Sequence, residues 1–329
     1  MSEHMTVSEI YARGAAQLEK LGYKRAWPPD AQLGTSLQGN RAYLDSLFFV
    51  PRFLESVEVD TTVTMLGQTL QSPVFCSPMS GWGQISDSIL EDCARGLKKA
   101  GSMMMLGIGG SDELQQAIDT GVPVAKIVKP YRDTDLIFRK LQDAERRGCV
   151  AVGMDIDHFY GRLAGDAVGL TETFAPQSNE TLRQAIATTK LPFVIKGVLG
   201  TDDALKAVEL GASALMVSNH GRASFDCMLP SAVALPEIVE AVGQQIEVYV
   251  DTGFRTGNDV VKALALGARA VGFASSMLLA WGAAGEEGVT GLVLQLSSEL
   301  RRTMSALGCA DCAAVEDAEL QELPGSMEG

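Results

Sequence analysis

Several features are scarce or missing in this sequence of 329 residues. Its opening, "MSEHMTVSEI", is polar and acidic, without the apolar core of a secretory signal. No apolar run is long enough to span a bilayer. Basic residues are outnumbered, with 27 Lys and Arg against 41 Asp and Glu, a formal charge of −14 and a pI near 4.7. That balance argues against nucleic acid and anionic membrane as partners, although a local basic pocket can still hold a phosphate. The expectation is a soluble cytoplasmic protein acting on a small molecule, with homo-oligomerisation left open. The six cysteines form no disulfide framework. Cys76 and Cys149 fall in or beside apolar segments and read as buried thiols. Cys309 and Cys312 make a lone CxxC in "GCADC". Without a second CxxC or a histidine pair nearby, they read as incidental thiols at a helix end, and no metal is expected.

What is present is a regular rhythm. Apolar runs lie at 73–77, 102–106, 123–128, 149–154, 192–196, 214–218, 248–251 and 270–274. Between them run amphipathic stretches such as "DSILEDCARGLKKAG", "TDLIFRKLQDAERRG", "TDDALKAVELG", "LPEIVEAVG" and "GNDVVKALALG", many ending in a glycine suited to a helix C-cap. Near-continuous apolar strands imply burial on both faces and a parallel sheet. Eight such units in series point to an α/β fold, a (β/α)8 TIM barrel over 71–313. Residues 1–70 read as an N-terminal extension: a helix, a Pro/Gly-rich connection and a short hairpin capping the barrel floor. The acidic tail, 314–329, is expected to fray.

In such barrels the active site lies at the C-terminal strand ends. Read in order, those ends supply Ser77-Pro78, Gly107, Lys129, Asp155 and Asp157, Lys196-Gly197, Asn219-His220, Asp251 and Gly253, and Ala274-Ser275-Ser276. A lysine, aspartates and a histidine at one mouth are the groups that proton or hydride chemistry needs. Of three histidines, His4 is terminal, and His158 rivals His220 as a base because it too follows a strand. Each residue also has a bland role: His220 as a solvated loop residue, Asp157 as a loop cap, Asp251 as a turn residue. Lys196 is harder to dismiss, because a lysine leaving a barrel core needs an anionic or electron-rich partner. The loop "VDTGFRTGNDV" and the helix it opens can cradle an anion, with Arg255 close by.

The motifs "LPFVIKGVLG", "ALMVSNHG", "VYVDTGFRTGNDVVKALALGARAVGF" and "LLAWGAAGEEGV", in this order and spacing, resemble the C-terminal half of the FMN-dependent 2-hydroxy-acid oxidase and dehydrogenase family, of the glycolate and lactate oxidase type. "SPVFCSPMS" resembles its first barrel strand, and similarity runs over about residues 50–312. The resemblance implies FMN as cofactor. It implies that His220 is the base and Asp157 the carboxylate that orients it. It places Lys196 beside flavin N1 and O2, where a cation stabilises the reduced form, and Asp251 at the ribityl chain. Gly253 and Arg255 fall at the phosphate, and Ser77, Pro78, Met79 and Ser80 under the ring.

The departures are as specific. The family's His-Gly-Gly/Ala-Arg reads here His220-Gly221-Arg222-Ala223, so the arginine that grips a substrate carboxylate is displaced by one place. A Gln and a Tyr become Ile127 and Lys129, and a Thr becomes Asp155. The Gly-Arg that supplies a second phosphate arginine becomes Ala274-Ser275, leaving Ser275 and backbone N–H groups in its place. The lid after the fourth strand is shortened, and the N-terminal active-site Tyr has no match. Candidates for a replacement substrate cation are Lys129, Arg162 and Arg222. The expected activity is oxidation of the α-carbon of a hydroxy-acid-like substrate with an altered clamp; a flavin isomerase on the same barrel and a non-catalytic flavin-binding relative are the alternatives.

Overall fold

The eight apolar runs close on one another in a computed structural model that describes residues 5–23, 34–158, 174–221 and 224–323. In chain order the elements are α1 (Val7–Lys20), α2 (Thr35–Ser46), β1 (Leu47–Phe49), β2 (Val63–Met65), β3 (Gln68–Leu70), β4 (Val74–Met79), α3 (Ile89–Lys99), β5 (Met104–Leu106), α4 (Ser111–Asp119), β6 (Val124–Val128), α5 (Thr134–Arg147), β7 (Ala151–Asp155), α6 (Asn179–Ala187), β8 (Phe193–Val198), α7 (Thr201–Leu210), β9 (Ala214–Val217), α8 (Ser231–Val242), β10 (Glu247–Asp251), α9 (Gly257–Ala265), β11 (Ala270–Phe273), α10 (Ser275–Leu307) and β12 (Leu320–Glu322). Strands β4 to β11 pair in parallel and in sequence, and β11 returns to β4, which makes the closed (β/α)8 barrel.

Two cores result. The larger lies between the barrel wall and the helices. The smaller fills the lumen with Phe75, Met105, Ile127, Val194, Met216 and Tyr249 among others. Hairpin β2–β3 turns at Leu66 (φ 50°) and Gly67 (φ 74°), two successive left-handed residues of the kind that matches strand twist. It drives Met65, Leu66 and Leu70 into the lumen cluster from the N-terminal end. The floor is thus plugged by the hairpin.

Three expectations change. The segment 35–46, read as part of an irregular connection, is the helix α2. The helix expected from Leu235 begins at Ser231, with Pro236 inside it. The tail after 313 is not simply frayed: a 3-10 turn spans Ala313–Asp317, and β12 pairs antiparallel with β1, Leu47 opposite Glu322 and Phe49 opposite Leu320. Residues 324–329 lie outside the described residues. Cys76 and Cys149 are buried as expected, and burial pushes both thiols up to about 12, which leaves them protonated and inert. Among the described residues no helix is long and apolar enough to cross a membrane.

Candidate active site

Strand alternation builds the site. Side chains two apart on a strand share a face, so each column of lumen residues continues upward to the mouth. Phe75 leads to Ser77, Ile127 to Lys129, Gly153 to Asp155, Val194 to Lys196, Met216 to Ser218 and Tyr249 to Asp251. The lower residues of these columns are apolar and the top layer is polar. Ser77, Lys129, Asp155, Lys196, Ser218 and Asp251 are all buried, so their charges must pair with one another.

They do. Asp155 and Lys196 face each other in register across β7 and β8. The Lys196 ammonium donates to Ser218 Oγ at 3.0 Å and lies 3.5 Å from Asp155 and 3.9 Å from Asp251. Ser77 Oγ donates to Asp251 Oδ2 at 3.0 Å, while Asp251 Oδ1 is buried with no hydrogen-bond partner among the described residues. Lys129 pairs with Asp155 Oδ2 at 2.5 Å. His220 Nδ1 lies 3.1 Å from both oxygens of Asp157 and 3.4 Å from Asp155 Oδ1. Ser224 Oγ donates to Asp157 Oδ2 at 3.3 Å. Burial works against charge throughout. It is nonetheless outweighed at Asp155, which His220, Lys129 and Lys196 hold well below the carboxylate range. Asp155 and Asp157 together raise His220 above its usual value against burial and Lys196. Lys196 is likewise raised by Asp155 and Asp251. Asp155, Asp157 and His220 are close enough to ligate a cation, but Lys129 and Lys196 already supply the positive charge there.

The backbone is shaped for this convergence. His220 sits at φ 56° and Thr252 at φ 71°, left-handed conformations that non-glycine residues adopt where a surrounding framework enforces them. Gly197, at φ 102°, passes so close to Asp157 that a Cβ would lie 2.8 Å from the Asp157 Cβ. Gly253, at φ 89°, has the same relation to Asn40, at 2.9 Å.

The framework comes largely from residues not expected at the site. Asn40 of α2 exchanges amide hydrogen bonds with Asn219 at 3.0 and 3.1 Å. Asn219 Oδ1 also accepts from Gly221 N and Thr252 Oγ1, and Ser231 Oγ accepts from Asn219 N and bonds Thr252 Oγ1. Asp226 caps α2 by accepting from Thr35 N and Ser36 N. Arg41 grips Asp259 through two nitrogens and donates to Gly253 O. The signal for α2 was a spacing of four: Ser36, Asn40 and Leu44 form its buried face, but two of the three are polar and hide the stripe. Because Asn219 anchors the residues flanking His220, Asn219→Ala is expected to cost about 2 kcal/mol by stranding buried partners, read as a lower urea midpoint.

The remaining candidates are placed as follows. Pro78 and Met79 are half-buried at the end of β4, and the Met79 carbonyl accepts from Gly107 N at 3.0 Å. Ser80 is exposed and its Oγ accepts from Ile108 N. Arg255 is exposed, with its backbone N–H donating to Asp259. Ser275 opens α10, whose N-terminus no side chain caps. Tyr11 OH, donating to Arg255 O and close to Ser276, ties that helix end to the Arg255 loop. His158 is buried, its ring centroid 5.4 Å from that of His220. Lys129 reaches the mouth but is engaged by Asp155. Arg162, Arg222 and Ala223 lie outside the described residues.

Known proteins share both sequence and architecture. The family model described as FMN-dependent dehydrogenase matches residues 28–166 and 162–322. A glycolate oxidase of Zea mays is 29% identical, covering 96% of this chain and 95% of its own. An L-lactate oxidase of Nostoc sp. is 30% identical over 85% of this chain and 88% of its own. A crystal structure of mandelate oxidase superposes with a TM-score of 0.88 at 28% identity, covering 96% of this chain and 98% of its own. These matches favour neither the isomerase nor the non-catalytic reading. The chain belongs to the FMN-dependent dehydrogenase family and is an FMN-dependent oxidoreductase.

Proposed function

We propose that the protein oxidises the carbinol carbon of a hydroxy-acid-like small molecule, with His220 as base and Asp157 as its orienting partner. The observation that carries this is the Nδ1 of His220 held at 3.1 Å by Asp157 at the barrel mouth, one strand from the Lys196–Asp251 pair. With Nδ1 engaged, Nε2 is the nitrogen that takes the substrate O–H proton. Asp157 keeps the ring in that tautomer and stabilises the imidazolium that forms. When bound, FMN supplies the acceptor for the hydride that leaves the carbinol C–H, so a carbonyl is formed.

The residues present fit the cofactor. Asp251 Oδ1, buried and unpartnered among the described residues, is an acceptor that a ribityl hydroxyl satisfies. Lys196 is a charged ammonium suited to an electron-rich ring edge. The phosphate end is thinner: Arg255 and the uncapped N-terminus of α10 remain, and the second arginine is replaced by Ser275. One charge-assisted contact is worth about 1.5–3 kcal/mol, so FMN is expected to bind roughly ten- to a hundredfold more weakly than with both arginines. Quenching of FMN fluorescence on titration with the protein, and bleaching of the protein-bound flavin by a hydroxy compound without oxygen, are the expected results. No binding at millimolar FMN would overturn them. The acidic balance of the chain suits a small-molecule substrate in the cytoplasm rather than a nucleic-acid partner.

A further inference from the structure

The oxidation chemistry above leaves the Lys129–Asp155 pair unexplained. Lys129 and Asp155 are 6% and 1% exposed, so both ions are stripped of water. A base and its orienting carboxylate do not account for a buried Lys129 or for a second carboxylate on the same imidazole. Asp155 touches ionisable groups from the ends of three other strands. Its Oδ2 takes Lys129 from the end of β6, and its Oδ1 lies 3.5 Å from Lys196 of β8 and 3.4 Å from His220 after β9.

Resting on the oxidase reading above, we propose that Asp155 is a specificity-determining residue. It is a resident carboxylate that fills the anion position beside the base and occupies Lys129, so the enzyme takes a substrate whose carbinol carbon bears an uncharged group, such as an ester or amide, rather than a free carboxylate.

The charge balance supports this. The groups acting on His220 are Asp155 and Asp157 from β7 and its extension, Lys129 from β6, Lys196 from β8, Ser218 from β9 and the His158 ring, with Ser224 held on Asp157. With Asp251 included, three carboxylates stand against two ammonium groups among the described residues before the imidazole is counted. A substrate carboxylate would add a fourth anion to a buried site and would have to compete with Asp155 for Lys129. An ester or amide meets neither obstacle. The same geometry makes Asp155 a positioning residue for the base, because it is the second carboxylate on one imidazole and favours its charged form.

The test uses FMN-loaded protein and oxalate, an anion with no C–H bond to oxidise. Calorimetric titration is expected to show weak binding to the wild type. Asp155→Asn, which frees Lys129, is expected to tighten oxalate by roughly ten- to a hundredfold, the worth of one charge-assisted contact. In Asp155→Asn/Lys129→Met the gain should vanish, which separates release of the lysine from mere loss of negative charge. Under anaerobic conditions wild-type flavin is expected to be reduced faster by methyl lactate than by lactate. Asp155→Asn should narrow that ratio and move the pH profile of reduction to lower pH. Oxalate affinity unchanged in folded Asp155→Asn overturns the inference. So does tight oxalate binding by the wild type, a result that would assign the clamp to Arg222 or Arg162. Because the ester-to-acid comparison needs no variant, it decides the matter even if Asp155→Asn fails to fold. If no hydroxy compound reduces the flavin but Asp155→Asn still gains oxalate, the anion position stands and the oxidase reading falls.

Discussion

His220→Asn is expected to keep the fold and bind FMN, yet to reduce the flavin about a hundred to ten thousand times more slowly than the wild type, the range removed with a positioned general base. Asparagine retains a polar side chain of similar reach and tolerates the left-handed backbone at φ 56°. It cannot accept and hold a proton. Anaerobic stopped-flow absorbance measures the effect without interference from reoxidation. Asp157→Asn should slow reduction less, since the imidazole survives and only its orientation and charge support are weakened. The pH profile is a second readout. Burial opposes charge on His220, but Asp155 and Asp157 raise its pKa, and only the neutral ring accepts a proton. Reduction should therefore rise with pH through an apparent pKa above the ordinary histidine value of about 6.5. A full rate in His220→Asn would move the base to His158, whose ring centroid is 5.4 Å away.

Much of this site was legible because two periodicities reinforce one another. A barrel strand is short and apolar, and a charged residue two places beyond its last apolar lumen residue must look into the mouth. That argument finds Lys196 after Val194 and Asp251 after Tyr249 without any resemblance. It applies equally to Lys129 after Ile127 and Asp155 after Gly153, which the strand-end reading also places at the mouth and which the resemblance marks as departures from the family pattern. Their mutual pairing was not readable, because β6 and β7 are adjacent in space while the two residues are 26 apart in the chain. The framework from α2 was hidden for a different reason. Its buried face carries Ser36 and Asn40, so the hydrophobic stripe that reveals a helix is missing. The tail was misread because β12 has no apolar pattern of its own; Gln321 and Glu322 are exposed, and the backbone ladder with β1 provides the order.

Lys196→Met is expected to produce the largest loss of stability among single changes in the site, about 3 kcal/mol, the low end of the cost of stranding a buried charge. The methylene stem is preserved, so packing below the ammonium is nearly unchanged and the loss is electrostatic. Asp155 keeps Lys129 and His220, which is why the low end applies. Asp251 fares worse, retaining one hydroxyl from Ser77 and an unpartnered Oδ1. The pH dependence follows from the signs. The folded-state pKa of Asp155 is depressed, so its contribution is present above the ordinary carboxylate range and fades as pH falls through the depressed value. That of Lys196 is raised, so its contribution is complete below the ordinary lysine range and fades as pH rises through the raised value. The contributions of these two groups are thus flat between these limits, the raised His220 adds a decline as pH climbs from the ordinary histidine range through its raised value, and Lys196→Met should lose the lysine's share of the alkaline decline. Urea unfolding of Lys196→Met, Asp155→Asn and the double variant completes the argument. Because the two side chains face each other in register across β7 and β8, the double variant should lose less than the sum of the singles, by about 0.5–3 kcal/mol. Strict additivity would mean that Lys196 is held at the mouth by packing alone, with its charge contributing nothing to Asp155.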